Sequence, residues 1–354
     1  MLAAETRSVA GPFATGSLPD FSITWNEILE AVDPFLKAVA NRLVAQAEQF
    51  EPAVSVYAQY ALSGHGKQLR PLLVSLSGSA CGKVTDHHVT VASIIEMVHL
   101  ATLVHDDIID EAAMRRGRPT LSANWGNEIS VLLGDCLFAH ALQMAASFPT
   151  PEICRAVASA TNTVCSGEIL QTQCRRKFHL SREEYFKILA MKTAELFALS
   201  CDLGGLLSQA SPAQREALRD YGMALGTAYQ LYDDCLDIFG SETAAGKTLG
   251  NDLANGEVTL PVLIAMEKMT KPERAELENQ IRNWVPEHFP RIMVSLEKYH
   301  VLSESRRIIQ QHLAAARQPL LLLPVSEGRD GLAGLLDYLS QQSDVLGVQP
   351  ETVP

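Results

Sequence analysis

Val104-His105-Asp106-Asp107-Ile108-Ile109-Asp110 places three carboxylates within about one turn of helix. Asp106 and Asp110 are four residues apart and share a face, and Asp107 sits about 100° around from Asp106. Leu100, Leu103, Val104, Ile108 and Ile109 are the apolar company, so the run describes a core helix and not a solvated acidic one. Carboxylates clustered on a mostly buried helix repel one another and need a counter-charge. Hard divalent cations with oxygen ligands supply it. For a single such run, an acid-rich helix N-terminus or a solvated charge cluster competes with the metal reading.

The run recurs. Leu231-Tyr232-Asp233-Asp234-Cys235-Leu236-Asp237 repeats the D-D-x-x-D spacing, with Tyr229, Leu231 and Leu236 as apolar neighbours. Gln230 lies three and four residues before Asp233 and Asp234, on the same side. Two copies, both in apolar helices, make a solvated acidic face a poor explanation. Mg²⁺ takes one or two carboxylates and leaves its other positions to water and phosphate oxygens. Two helices offering such clusters would hold several Mg²⁺ ions and a diphosphate between them. A carboxylate-bridged di-iron bundle, which wants Glu-x-x-His pairs, is set aside.

Outward from these runs the text is helical. Leu29, Val32, Leu36, Val39 and Leu43 recur at three- and four-residue steps. Breaks carry turn chemistry: Gly64 and Gly66 around His65, Cys81-Gly82-Lys83, Pro149, Pro151, Ser211-Pro212 and Gly240–Gly246. No long β-branched alternating stretch, no 20–50-residue repeat and no composition shift appears. The expectation is an all-α single domain, a bundle of ten or more helices. Its bounds are residues 23–345, with a disordered lead-in at 1–22 and a flexible tail at 346–354.

Composition agrees. Of 354 residues, 47% are apolar and only 6% aromatic, which favours helix-on-helix packing. Net charge is −12, the wrong sign for a nucleic-acid binder. Phosphate ligands would therefore need local basic residues or bridging cations. Seven cysteines without a C-x-x-C pair read as reduced core thiols of a cytoplasmic protein. No run of about 18 apolar residues suggests a transmembrane segment.

Basic residues sit where phosphate would. Arg115-Arg116-Gly117 follows the first cluster. Lys67 and Arg70 precede Pro71, which favours the first helical position and so puts them at a helix N-terminus. His99 is seven residues before Asp106, on the same face. Taken alone, Lys192 is one more surface lysine, and His99 is more often a satisfied core histidine.

As an ordered set these residues resemble the trans-isoprenyl diphosphate synthases from about Trp25 to Leu339. Gly66-Lys67-Gln68-Leu69-Arg70-Pro71 is similar to that family's G-K-x-x-R-P. His105–Asp110 with Arg115-Arg116-Gly117 resembles its first aspartate-rich region. Gly134-Asp135, Gly167-Glu168 with Gln171, and Lys192-Thr193-Ala194 follow in family order. Tyr229-Gln230-Leu231 with Asp233, Asp234 and Asp237 resembles the second region, and Gly246-Lys247, Gly250, Asp252 and Thr259-Leu260-Pro261 come after it.

The resemblance implies an all-α homodimer, each bundle built around a central cavity, that condenses isopentenyl diphosphate with an allylic diphosphate. Asp106, Asp107, Asp110, Asp233, Asp234 and Asp237 would bind two or three Mg²⁺ ions, with Mn²⁺ able to substitute. Arg115, Lys192, Thr193, Gln230 and Lys247 would contact the allylic diphosphate. Lys67, Arg70, His99 and Arg116 would hold isopentenyl diphosphate. The product would leave through peripheral contact with a membrane. Two departures stand out: Glu257 occupies a position where the family often has Lys, and Tyr338 is not followed by the Arg often found in the last helix. Both are expected to weaken substrate binding at most.

Product length follows from the helix ahead of Asp106. Thr102 and Ala101 would meet the growing chain first, and both are small. Val98 and Met97 come one turn, about 5.4 Å, further down, and neither is aromatic. The pattern resembles the long-chain members, with products of about C30 to C50. A tunnel floor near Phe138 or Leu142 is expected. The rivals are a short-chain farnesyl or geranylgeranyl synthase, a class I terpene cyclase, which the second triplet disfavours, and a non-catalytic regulatory subunit, which would usually have lost aspartates.

Overall fold

Thr24 closes a capping box with Glu27, its hydroxyl taking the Glu27 N–H while the Glu27 carboxylate takes the Thr24 N–H. From that cap the chain is helical almost throughout. The computed structural model describes residues 24–63, 66–241 and 249–347. The helices are α1 (Trp25–Ala47), α2 (Pro52–Leu62), α3 (Leu69–Cys81), α4 (Asp86–Ile109), α5 (Leu121–Trp125), α6 (Asn127–Ala146), α7 (Glu152–Cys174), α8 (Arg182–Leu189), α9 (Glu195–Leu207) and α10 (Pro212–Phe239). They continue with α11 (Asn251–Ala254), α12 (Leu260–Lys268), α13 (Lys271–Arg282), α14 (Phe289–Lys298), α15 (Val301–Leu320) and α16 (Glu327–Asp344). The fold is all-α, as the periodicity implied.

On α1, Val32, Val39 and Leu43 are buried, the stripe expected of a core-facing helix. Ser211 and Pro212, read from sequence as a break, are the N-cap and first residue of α10. Pro71 is the third residue of α3 and not the first, because Gln68 caps the helix from a left-handed conformation.

The core helices are α4, α9 and α10. α10 packs along α9 and α15, α4 along α6, and α3 lies between α9 and α16. Gly222 and Gly226 allow the α9–α10 approach: a Cβ there would fall 2.7 Å from Ala198 Cα or Ala194 Cα. One apolar cluster centres on Phe197, Tyr221 and Leu231, the other on Ile94, Met97 and Leu137.

One element was not foreseen. Met114–Arg115 and Arg118–Pro119 pair as a minimal antiparallel hairpin, β1 and β2. Its turn residues Arg116 (φ 50°) and Gly117 (φ 73°) are both left-handed, the geometry of a two-residue hairpin turn.

By length and composition, α4 and α6 could cross a membrane, contrary to the sequence expectation. α4 is a core helix of this bundle, and it carries Asp86, Glu96, Asp106 and Asp107. α6 is less covered, and Val131 and Leu132 are exposed on it. The chain stays packed past 345: Leu346 is buried, and the Gly347 N–H donates to the Phe239 carbonyl at 3.0 Å. Residues 1–22 and 348–354 lie outside the described residues, as do Gly64, His65, Gly246 and Lys247.

Candidate active site

Both aspartate clusters sit at helix C-termini. α4 ends at Ile109, and Asp110 is its C-cap, its N–H donating to the Asp106 carbonyl at 2.8 Å. α10 ends at Phe239, so Asp233, Asp234 and Asp237 occupy its last two turns. The macrodipole is negative at that end. Carboxylates there are disfavoured twice, by the dipole and by one another, and an acid-rich helix N-terminus is ruled out as their explanation.

The protein answers with cations and hydrogen bonds. Arg115 Nε donates to Asp107 Oδ1 at 2.6 Å. Arg175 donates to Asp110 Oδ1. Burial pushes the Asp106 carboxyl up to about 7, with the nearby Lys192 ammonium opposing and Glu168 and Asp110 adding to the rise. On α10, burial pushes Asp234 up to about 7, although the Tyr185 hydroxyl and Gln230 Nε2, at 2.8 Å, donate to it. Thr193 Oγ1 in turn donates to Gln230 Oε1 at 2.9 Å. Asp237 is fully buried, and its Oδ2 accepts the Asp252 N–H at 3.1 Å, so it also anchors the start of α11.

Lys192 lies in a π-helical turn, Ala190–Ala194, between α8 and α9. Such turns re-aim side chains. Gly167 accommodates this one, since a Cβ there would fall 2.7 Å from the Lys192 nitrogen. Burial alone would lower the Lys192 pKa, but Asp106, Glu168 and Glu257 hold its ammonium above the usual lysine value. Its Nζ is 2.7 Å from Glu168 Oε2. Glu257 is mostly buried, accepting from Gln171 Nε2 and from Arg175 Nη2, the latter at 3.2 Å. Burial raises Glu257, and Asp110 adds to that rise, while Glu257 in turn raises Asp234. One carboxylate thus feels both clusters, and the two face a common cleft.

A second group lies one turn and more up α4. Arg70 is stacked over the Phe197 ring at 5.1 Å, with its Nε buried and without a partner. Burial and the charges of Arg70, Arg116 and Arg115 push His99 well below its ordinary value, so it is a neutral imidazole among three guanidinium groups. Gly66 packs so closely against the Arg116 guanidinium that a Cβ there would collide with it. The hairpin that carries Arg115 and Arg116 is clamped from α2: Tyr60 donates to the Pro119 carbonyl at 2.6 Å, and Arg118 covers its ring at 4.3 Å. Glu96, unremarked in the sequence reading, is buried beside Arg70 and Arg116, with Oε2 unpartnered.

Glu-x-x-His spacing does occur, at Glu96–His99 and again at Glu297–His300. The first sits among arginines that repel a metal ion and the second at the end of α14, so neither makes a di-iron site. Among the described residues, no three His, Cys, Asp or Glu side chains converge on one point. Mg²⁺ does not require that. An oxygen-only donor set, two carboxylates raised to about 7 by burial, and helix C-termini aimed at one cleft fit a hard divalent cation.

The positions ahead of Asp106 are enclosed. Ala101, Met97 and Val98 are buried in the α4–α6 cluster, and the half-buried Thr102 donates to the His99 carbonyl at 2.7 Å. Phe138 on α6 packs near His105, ring centres 5.7 Å apart. Lys67 is exposed and lines an apolar pocket walled by Leu73, Phe197, Tyr229 and the Trp25–Tyr338 stack at 4.3 Å. Tyr338, followed by no arginine, is thus a packing residue.

Comparison with known proteins places this geometry. Residues 51–289 match the family model for Polyprenyl synthetase. The chain is 33% identical to the octaprenyl diphosphate synthase of Haemophilus influenzae over 316 residues, 89% of this chain and 96% of that one. It superposes with a TM-score of 0.84 on a decaprenyl diphosphate synthase from Rhodobacter capsulatus, at 32% identity and over 90% and 99% of the two chains. A polyprenyl synthase from Caulobacter crescentus, solved with calcium and isoprenyl diphosphate, gives 0.84 at 31% identity over 90% and 98%. Two acidic helix ends over one cleft, ringed by basic residues, are set in a chain that belongs to the polyprenyl synthetase family.

Proposed function

We propose that this protein condenses isopentenyl diphosphate with an allylic diphosphate to give a long-chain all-trans polyprenyl diphosphate. The observation that carries the reading is the pair of aspartate clusters at the C-termini of α4 and α10, bridged by neighbouring Lys192, whose ammonium acts on Asp106, and Thr193, which reaches Asp234 through Gln230.

Asp106, Asp107 and Asp110 on one wall, and Asp233 and Asp234 on the other, would hold Mg²⁺, with Asp237 behind them tying α10 to α11. When bound, Mg²⁺ neutralises diphosphate and makes it a competent leaving group. Lys192, Thr193, Gln230 and Arg115 donate to the allylic diphosphate and stabilise the charge that grows as its C–O bond breaks. Lys247 falls outside the described residues and is assigned with them by motif alone. The bond's electron pair leaves with the diphosphate. Lys67, Arg70, Arg116 and neutral His99 orient isopentenyl diphosphate so that its double bond attacks C1 of the allylic cation. The proton lost from the adduct goes to the released diphosphate, so no protein base is needed. The apolar walls keep water from the cation.

Small Ala101 and Thr102, with flexible Met97 and Val98 beyond, favour a long product over a farnesyl- or geranylgeranyl-length one. The exposed apolar residues of α6 suit a second copy of this chain, which supports a homodimer. Unpaired cysteines agree with a cytoplasmic setting.

Asp106→Ala and Asp233→Ala should each reduce turnover at saturating Mg²⁺ by about two orders of magnitude or more. Condensation at close to the native rate in either variant would remove the role assigned here.

A further inference from the structure

Glu257 interrupts an otherwise regular site. A carboxylate beside a diphosphate site should repel the substrate, and the sequence suggests a missing contact there. The structure shows a paired group. The loop after α7 and the loop after α11 are tied backbone to backbone, Arg176 N–H donating to the Gly256 carbonyl at 2.7 Å. Beside that tie, Arg175 Nη2 reaches Glu257 at 3.2 Å and also donates to Asp110. Its Nη1 donates to the Ile109 carbonyl at 3.2 Å. Gln171 holds the other Glu257 oxygen. Arg175 Nε is buried with no partner, so the guanidinium still has donor capacity unspent.

Asp110 is therefore covered by a cation whose anchor lies elsewhere. A guanidinium held on a carboxylate from a second loop stays at the mouth of the cleft when Asp110 turns to another charge. It then offers a planar, multidentate donor to the nearest anion. We propose that Arg175 is a further diphosphate-contacting residue of this site, and that Glu257 is its positioning residue. The proposal rests on the function inferred above. It gives Glu257 the opposite sign from a repulsive carboxylate: Glu257 aids binding, through Arg175 alone.

The test is calorimetric titration of the full-length protein with inorganic diphosphate in Mg²⁺ buffer, alongside KM and kcat for the allylic substrate. Thermal melts confirm folding of each variant. Arg175→Gln should weaken diphosphate binding about ten-fold or more and raise KM more than it lowers kcat, while Arg175→Lys should fall between. Glu257→Gln should weaken binding several-fold in the native background. In the Arg175→Gln background it should strengthen binding, because only the repulsion is left to remove. Glu257→Lys should likewise rescue Arg175→Gln. Tighter binding in the Glu257→Gln single variant would overturn the proposal, as would an Arg175→Gln variant within about two-fold of native. A native protein that bound no diphosphate and condensed nothing would instead overturn the functional reading itself, and this proposal with it.

Discussion

Asp234 shows how one residue's surroundings set its task. It is buried near the C-terminus of α10, and burial pushes it up to about 7 against hydrogen bonds from Tyr185 and Gln230. Tyr185→Phe removes one of those bonds with little change of shape. It should cost about 1–2 kcal/mol of stability by denaturant titration. It should also raise the Mg²⁺ concentration needed for half-maximal rate several-fold, because Asp234 then holds its proton more tightly. An unchanged Mg²⁺ requirement would mean that Asp234 is not a ligand. Residues such as Asp234 were legible in the sequence because the signal is local: two acids side by side in apolar text. Tyr185, Glu96 and Arg175 were not legible. Their importance comes from partners 49 residues away for Tyr185–Asp234 and 65 for Arg175–Asp110, and a pattern of neighbours does not encode such pairs. Glu257 was noticed, but its environment was missed for the same reason.

At the scale of elements, periodicity and break residues read the chain as helical throughout, and the single hairpin escaped. Two residues per strand carry no alternation to detect; only Arg116-Gly117, a left-handed pair, hinted at the turn. The hairpin matters because it presents Arg115 and Arg116 from one rigid support. Sequence marked a break at Gly240, just after the second aspartate run, but none close behind the first, since Ile109 looks no different from an interior apolar residue. α4 has a further consequence along its length. Ala101 is fully buried, on the route proposed for the growing chain. Ala101→Tyr should shorten the main product to roughly farnesyl length on chromatography of the dephosphorylated chains. The overpacking should lower stability by about 1–3 kcal/mol. An unchanged product spectrum in a folded variant would place the tunnel elsewhere.

For the whole molecule, a chain of net charge −12 gathers carboxylates in one cleft, and that burden should be visible in its stability. Without metal, Asp106 and Asp234 have folded values raised to about 7 from the ordinary carboxylate range. Between those values the folded state binds more protons than the unfolded one, so stability falls as pH rises toward 7. Mg²⁺ needs the deprotonated ligands, so the rise in Tm it gives should be larger near about pH 8 than near about pH 6. A rise independent of pH would argue for metal bound elsewhere. Product formation tests the central claim most directly: incubate the purified protein with isopentenyl diphosphate, Mg²⁺ and each allylic starter in turn, and measure the chain length made. The account predicts an all-trans polyprenyl diphosphate of long-chain size, lost on chelation of the metal. A protein that condenses none of the starters with Mg²⁺ present would contradict it.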